Sequence, residues 1–274
     1  MASVSRRLFA SLALVAAFAA APLALAEPDV KTDLKTDLKT VLAPSGKLRA
    51  GLYPGTPTSY LAGENGASPR GVGYELGKAL AEKLGVPYEP VVFKKNAEVL
   101  EAVQSGAVDV AFTNASVARA KVMDFGPAYL DIELGYLVRE NAPVTAVDAV
   151  DKPGVKIGVT KGSSSDGVLT RELKTAEVVR VETVLLAAEL LKEGKIDAFA
   201  TNKATLYEMG EKVPGAKVLD GRWGMERHAV AIPKGREAGL PMVRAFTAEV
   251  KANGLVAGAV QRAGLRGAQV SEMK

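Results

Sequence analysis

From residue 47 onward, short apolar runs alternate with stretches of helical periodicity. Leu48 to Leu52 reads as a strand, residues 74–84 as a helix with Leu76, Ala79, Leu80 and Leu84 on its apolar side, and residues 91–93 as a second strand. A second helix over 97–105 and a third strand over 108–112 complete the unit. The same programme then restarts: strand 155–159, a small polar loop over 160–166, strand 178–181, helix 184–193 and strand 197–200. Such alternation predicts an α/β chain with parallel sheets and crossover helices.

Two segments match closely. Gly106-Ala-Val-Asp109-Val-Ala-Phe-Thr113-Asn114 and Gly194-Lys-Ile-Asp197-Ala-Phe-Ala-Thr201-Asn202 both run glycine, aspartate, strand, Thr-Asn. Any helix-turn-strand unit explains the glycines, but not why both strands finish in Thr-Asn. Ligands of open α/β sheets bind beyond the carboxyl ends of the strands, so two such ends facing one another predict a cleft with polar walls. The tail adds a strand at 229–233 and helical patterns over 240–252 and 256–263. If it returns to the first lobe, the chain crosses between lobes twice, near 136–143 and near 226–231, and paired crossings make a hinge.

The beginning of the chain has a different pattern. Arg6 and Arg7 precede an apolar run from residue 8 to 21, and Ala24-Leu25-Ala26 precedes Glu27. This predicts a signal peptide over 1–26, too short to be a membrane span. The twin arginines leave the export route open between the two general systems. Residues 31–40 carry a tandem Lys-Thr-Asp-Leu repeat, read as part of an exposed leader over 27–46. Removing 1–26 takes two arginines and no acid from 35 basic and 31 acidic residues, leaving 33 against 31. A near-neutral chain without a basic stripe predicts no nucleic-acid partner. Cysteine is absent, so no disulfide and no lipidated cysteine are expected; a free exported protein then points to the periplasm. One histidine, no cysteine and no ligand spacing predict no metal and no cofactor.

Four short motifs have a recognisable order. Gly71-Val-Gly73-Tyr74-Glu75 opens the first long helix, Gly106-Ala-Val-Asp109 precedes a strand, and Arg119 is followed by Asp124-Phe125-Gly126-Pro127-Ala128-Tyr129. Val155-Lys-Ile-Gly158-Val-Thr-Lys-Gly162-Ser163-Ser164 then opens the second half. Over residues 47–268 the chain resembles the amino-acid type (family 3) of bacterial extracellular solute-binding proteins, the periplasmic components of ABC importers. The resemblance implies a two-lobed periplasmic-binding-protein fold, with two doubly wound sheets joined by a two-crossing hinge. Lobe 1 would comprise 47–138 and 229–274, and lobe 2 139–228. It also implies a monomer that closes on a small carboxylate-bearing ligand and hands it to an inner-membrane permease, with no membrane insertion of its own after signal cleavage.

By the same resemblance Arg119 clamps the ligand carboxylate, a task that suits a planar guanidinium with parallel donors. Ser116, Asn114, Ser163, Ser164 and Asn202 would supply further polar contacts, and Tyr53 the aromatic wall, with Tyr60 nearby. Two departures stand out. Neutral Asn202 occupies the place of the acid that pairs with an amino acid's ammonium, so either another acid, such as Glu226, supplies the charge or the ligand lacks an ammonium. The spacing from Asp109 to Arg119 is also about two residues shorter than usual for the family. Some relatives on this fold are dehydratases of prephenate-like acids, for which Glu226 and His228 would be the candidate acids. No nucleophile–base pair accompanies them, and a non-enzymatic binding role is expected.

Overall fold

The computed structural model describes residues 38–63 and 67–272. The expected signal peptide and most of the expected leader lie outside these residues. The leader ends earlier than expected: residues 38–42 are helical, and Leu42 is fully buried in the core of the first half.

The first half begins with β1 (Leu48–Leu52), α1 (Val72–Leu84), β2 (Tyr88–Val92), α2 (Asn96–Ser105) and β3 (Val110–Asn114). Helix α1 buries Val72, Leu76, Leu80 and Leu84, the i, i+4 stripe that faces a core. It stops at Gly85, whose φ of 65° suits a residue without a Cβ. Strands β1 and β2 pair in parallel, as do β1 and β3.

The second half contains β5 (Lys156–Thr160), α3 (Ser164–Glu172), β6 (Glu177–Val181), α4 (Val184–Lys192), β7 (Ala198–Asn202), α5 (Lys203–Gly210) and the short β8 (Lys217–Val218). Strand β5 pairs in parallel with both β6 and β7. Two long strands join the halves, β4 (Met123–Val138) and β9 (Gly224–Pro233). They run antiparallel from Met123↔Pro233 to Leu134↔Gly224, with register shifts between Phe125 and Leu130. Helices α6 (Leu240–Ala252) and α7 (Leu255–Arg262) and strand β10 (Ala268–Val270) then return to the first half. The strand order is β2-β1-β3-β9-β4-β7-β5-β6, two parallel units bridged by an antiparallel pair.

Each half has its own buried clusters. Leu48, Leu76, Phe112 and Phe246 pack in the first; Tyr136, Ile157 and Leu169, and on the other sheet face Leu191, Phe199 and Leu206, pack in the second. The first crossing comes earlier than the residue pattern places it. From Leu134 onward β4 pairs with β7, and Tyr136 is already in the second core. The reason is that one 16-residue strand serves both sheets, so the chain changes lobe without leaving extended structure.

The internal repeat has a shared construction. Gly106 and Gly194 both take a left-handed conformation, with φ of 72° and 68°. Asp109 and Asp197 then each exchange two bonds with the neighbouring parallel strand. The Asp109 N–H donates to Arg49 O at 2.8 Å and its carboxylate accepts from Arg49 N at 2.9 Å. Asp197 repeats this with Lys156 at the same distances. The aspartates set the register that carries Thr113-Asn114 and Thr201-Asn202 to the strand ends.

Candidate functional site

Both Thr-Asn pairs open on one cleft between the halves. It encloses about 680 Å³ of space free of protein atoms, part of it open to solvent, a size usual for small-molecule sites. Tyr53, Asn114, Arg119, Ser163, Ser164 and Asn202 line it. Ser116 does not. It lines a broader outer groove beside α2 and α3, and its Oγ accepts from Arg119 N at 3.3 Å. The short loop after β3 uses Ser116 to set up the Arg119 turn rather than to reach the cleft.

Arg119 is half-buried at the start of a 3-10 turn. Its Nη1 donates to Thr113 Oγ1 at 2.6 Å and to Asn114 O at 3.4 Å. No described residue takes a bond from its Nε or Nη2, so an edge of the guanidinium is left for an anion. Burial lowers its pKa from the usual arginine value, and the charge of Glu226 works against that. Tyr53 follows β1, anchored by its N–H donating to Ser59 Oγ at 3.0 Å. Burial, helped by Glu226, pushes its phenol up to about 12, so it stays neutral.

The loop expected over 160–166 is partly helical. Ser163 is the N-cap of α3, its Oγ accepting from Asp166 N at 3.1 Å. The first-turn amides of such a helix have no intrahelical acceptor and suit an anion. Ser164 Oγ is engaged by Asn114 Nδ2 at 2.8 Å, a bond between the lobes. Asn114 Oδ1 accepts from Arg227 N at 3.1 Å, so both ends of its amide already hold a protein partner, with one Nδ2 hydrogen left over. Asn202 likewise has a protein partner at each end of its amide. Its Oδ1 accepts from Thr205 N at 3.0 Å, capping α5, and its Nδ2 reaches Glu226 Oε2 at 3.4 Å.

The acid nearest Asn202 is Glu226, on β9. It is buried in the cleft wall beside His228, whose Nε2 lies 3.2 Å from Glu226 Oε2. Burial alone would raise the Glu226 carboxyl, but His228, Arg119 and Asn202 together hold it below the usual carboxylate range. Its Oε1 has no donor among the described residues, and His228 Nδ1 is buried without a partner. Residue alternation carried a signal for both: Glu226 and His228 share a face of β9 with the core residues Val230 and Ile232. Thr56 and Thr205, absent from the sequence reading, meet across the cleft with their hydroxyls 3.1 Å apart. Lys95 and Glu182 pair across its mouth at 2.5 Å. Among the described residues no acid, histidine or cysteine cluster could hold a metal, and no helix is long and apolar enough to cross a membrane.

Two α/β lobes, a hinge of paired strands and a polar interlobe cleft with a guanidinium and a carboxylate define a solute-binding protein of the two-lobed class. The chain belongs to the bacterial extracellular solute-binding proteins, family 3, whose model matches residues 48–263. It is 28% identical over 153 residues to a glutamine-binding protein of an ABC transporter from Bacillus subtilis, covering 55% of this chain and 56% of that one. The chain thus spans little more than half the length of that relative. With the L-cystine-binding protein of Escherichia coli K12 it shares 25% identity over 212 residues, 76% of this chain and 79% of the relative. Among solved structures, the L-cysteine solute receptor of Neisseria gonorrhoeae superposes with a TM-score of 0.73 at 26% identity, covering 82% of this chain and 92% of that one.

Proposed function

We propose that this chain is a periplasmic receptor that captures a zwitterionic amino acid by closure of its lobes and delivers it to an ABC importer of the inner membrane. The observation that carries the reading is the placement of Arg119 and Glu226 in one buried cleft, each with an uncommitted edge. Arg119 takes the carboxylate, aided by the first-turn amides of α3. Glu226 takes the ammonium, so the counter-charge sits on the hinge strand β9 rather than at Asn202. Asn202 steadies that carboxylate and caps α5. The glutamine, cystine and cysteine named for the relatives are ligands of the same zwitterionic class.

A dehydratase would need a protonated acid in the cleft at neutral pH. Glu226 is held below the usual carboxylate range and is therefore ionised there, which favours the role of counter-charge. Arg119→Ala is expected to weaken amino-acid binding by about 2–4 kcal/mol, because a buried carboxylate loses its partner. Titration calorimetry checks this, and affinity unaltered in that variant removes Arg119 from the site.

A further inference from the structure

The cleft does not end at the zwitterion. Past Pro54, Thr183 and Thr205, which line both, it continues into an annex between α4 and α5 with about 600 Å³ of space free of protein atoms, part of it open to solvent. The annex is walled by Pro54, Val184, Leu185, Ala188 and Met209, with the Glu208–Lys212 ion pair, at 3.1 Å, on its rim. Leu185 is 69% exposed. It sits in the first turn of α4, where Ala187, Ala188 and Leu191 already supply the buried face, so the packing of the helix does not account for it. The two threonines at the annex entrance have partners: Thr205 Oγ1 bonds Thr56, and Thr183 Oγ1 accepts from Leu186 N at 3.1 Å.

We infer that the annex receives the side chain of the bound amino acid and selects for an extended apolar group of about four carbons or more. This rests on the zwitterion reading, which fixes the α-carbon at the cleft and directs the side chain past Pro54 and Thr205 into the annex; the other apolar continuation, the outer groove beside α2 and α3, opens from the Arg119 side that the carboxylate occupies. Lys94, which lines both spaces, is exposed, and a lysine so placed can lay its aliphatic stem along an apolar wall with its ammonium in water. Burying each added methylene then strengthens binding about fourfold until the annex is full.

The test is calorimetry on the purified chain with alanine, norvaline, norleucine, leucine, methionine, glutamine and glutamate. Affinity is expected to climb from alanine to norleucine, and Leu185→Asp, at an exposed position that folding tolerates, is expected to shrink the norleucine-to-alanine ratio by roughly tenfold. A flat alanine-to-norleucine series, glutamine or glutamate binding more tightly than norleucine, or an unchanged ratio in the variant overturns the annex assignment while leaving the zwitterion site standing. Absence of binding by every amino acid tried overturns both.

Discussion

At the scale of single residues, the cleft turns on where its one buried anion sits. A buried carboxylate needs partners, and Glu226 has two on the protein, His228 and Asn202, with Arg119 close enough to stabilise its charge. Its remaining oxygen is available to an ammonium. Glu226→Gln keeps the shape and removes the charge, so amino acids are expected to lose roughly 30-fold or more in affinity, whereas their deaminated analogues lose little. Equal losses for both kinds of ligand would place the ammonium elsewhere. The same group has a pH signature. Its carboxyl is depressed in the folded chain, so the stability it contributes is complete above the ordinary glutamate value of about 4.3 and is lost as pH falls through the lower folded value. The difference in melting temperature between the parent chain and Glu226→Gln is therefore expected to fall steadily as pH drops below that value, and a pH-independent difference would contradict it.

At the scale of elements, the repeat offers a comparison inside one molecule. Asp109 is fully buried and holds Arg49 and Arg236 by ion pairs at 2.7 and 2.8 Å. Asp197, in the matching place, has one partly exposed arginine, Arg139, at 3.4 Å. Asp109→Ala leaves two mostly buried guanidiniums unpaired and is expected to cost about 3–5 kcal/mol; Asp197→Ala is expected to cost about 1 kcal/mol. Urea denaturation checks both, and similar costs would mean that the backbone bonds, which the two share, outweigh the ion pairs. This repeat was legible in the sequence because a glycine, an aspartate and a Thr-Asn recur at fixed spacing. Strand β4 was not legible. Gly126 and Pro127 interrupt it, the register shifts around them, and Asp131 and Glu133 sit where it passes between lobes. Arg119 was singled out through its motif, and Asn202 through the Thr-Asn repeat and its departure from the family pattern; both line the cleft. The capping duties of Ser163 and Asn202 depend on where α3 and α5 begin, which composition alone left as loop. Glu226 stood only as a candidate counter-charge or acid, because it lies in none of the motifs that carry the resemblance.

For the whole molecule, the question is what holds the lobes together before a ligand arrives. Among the described residues three direct contacts span the cleft, Asn114 to Ser164, Thr56 to Thr205, and Lys95 to Glu182, while Arg266 of the tail also joins Tyr207 of α5 and Glu211 just after it. The Lys95–Glu182 pair is exposed, contributes little and is weakened by salt. The Asn114–Ser164 bond is half-buried and worth about 0.5–1.5 kcal/mol. Each joins groups on opposite lobes, so each favours a shut cleft over one opened about β4 and β9. Apparent affinity scales with the fraction of molecules already competent to hold the ligand. Ser164→Ala is therefore expected to shift the ligand-free chain toward the open form and weaken every amino acid by a common factor of roughly two to ten. Small-angle scattering of the ligand-free variant should show a larger radius of gyration than the parent, converging on the parent value at saturation. A side-chain-dependent loss, or identical ligand-free scattering, would mean that Ser164 acts on the ligand itself and that closure is driven by the ligand alone.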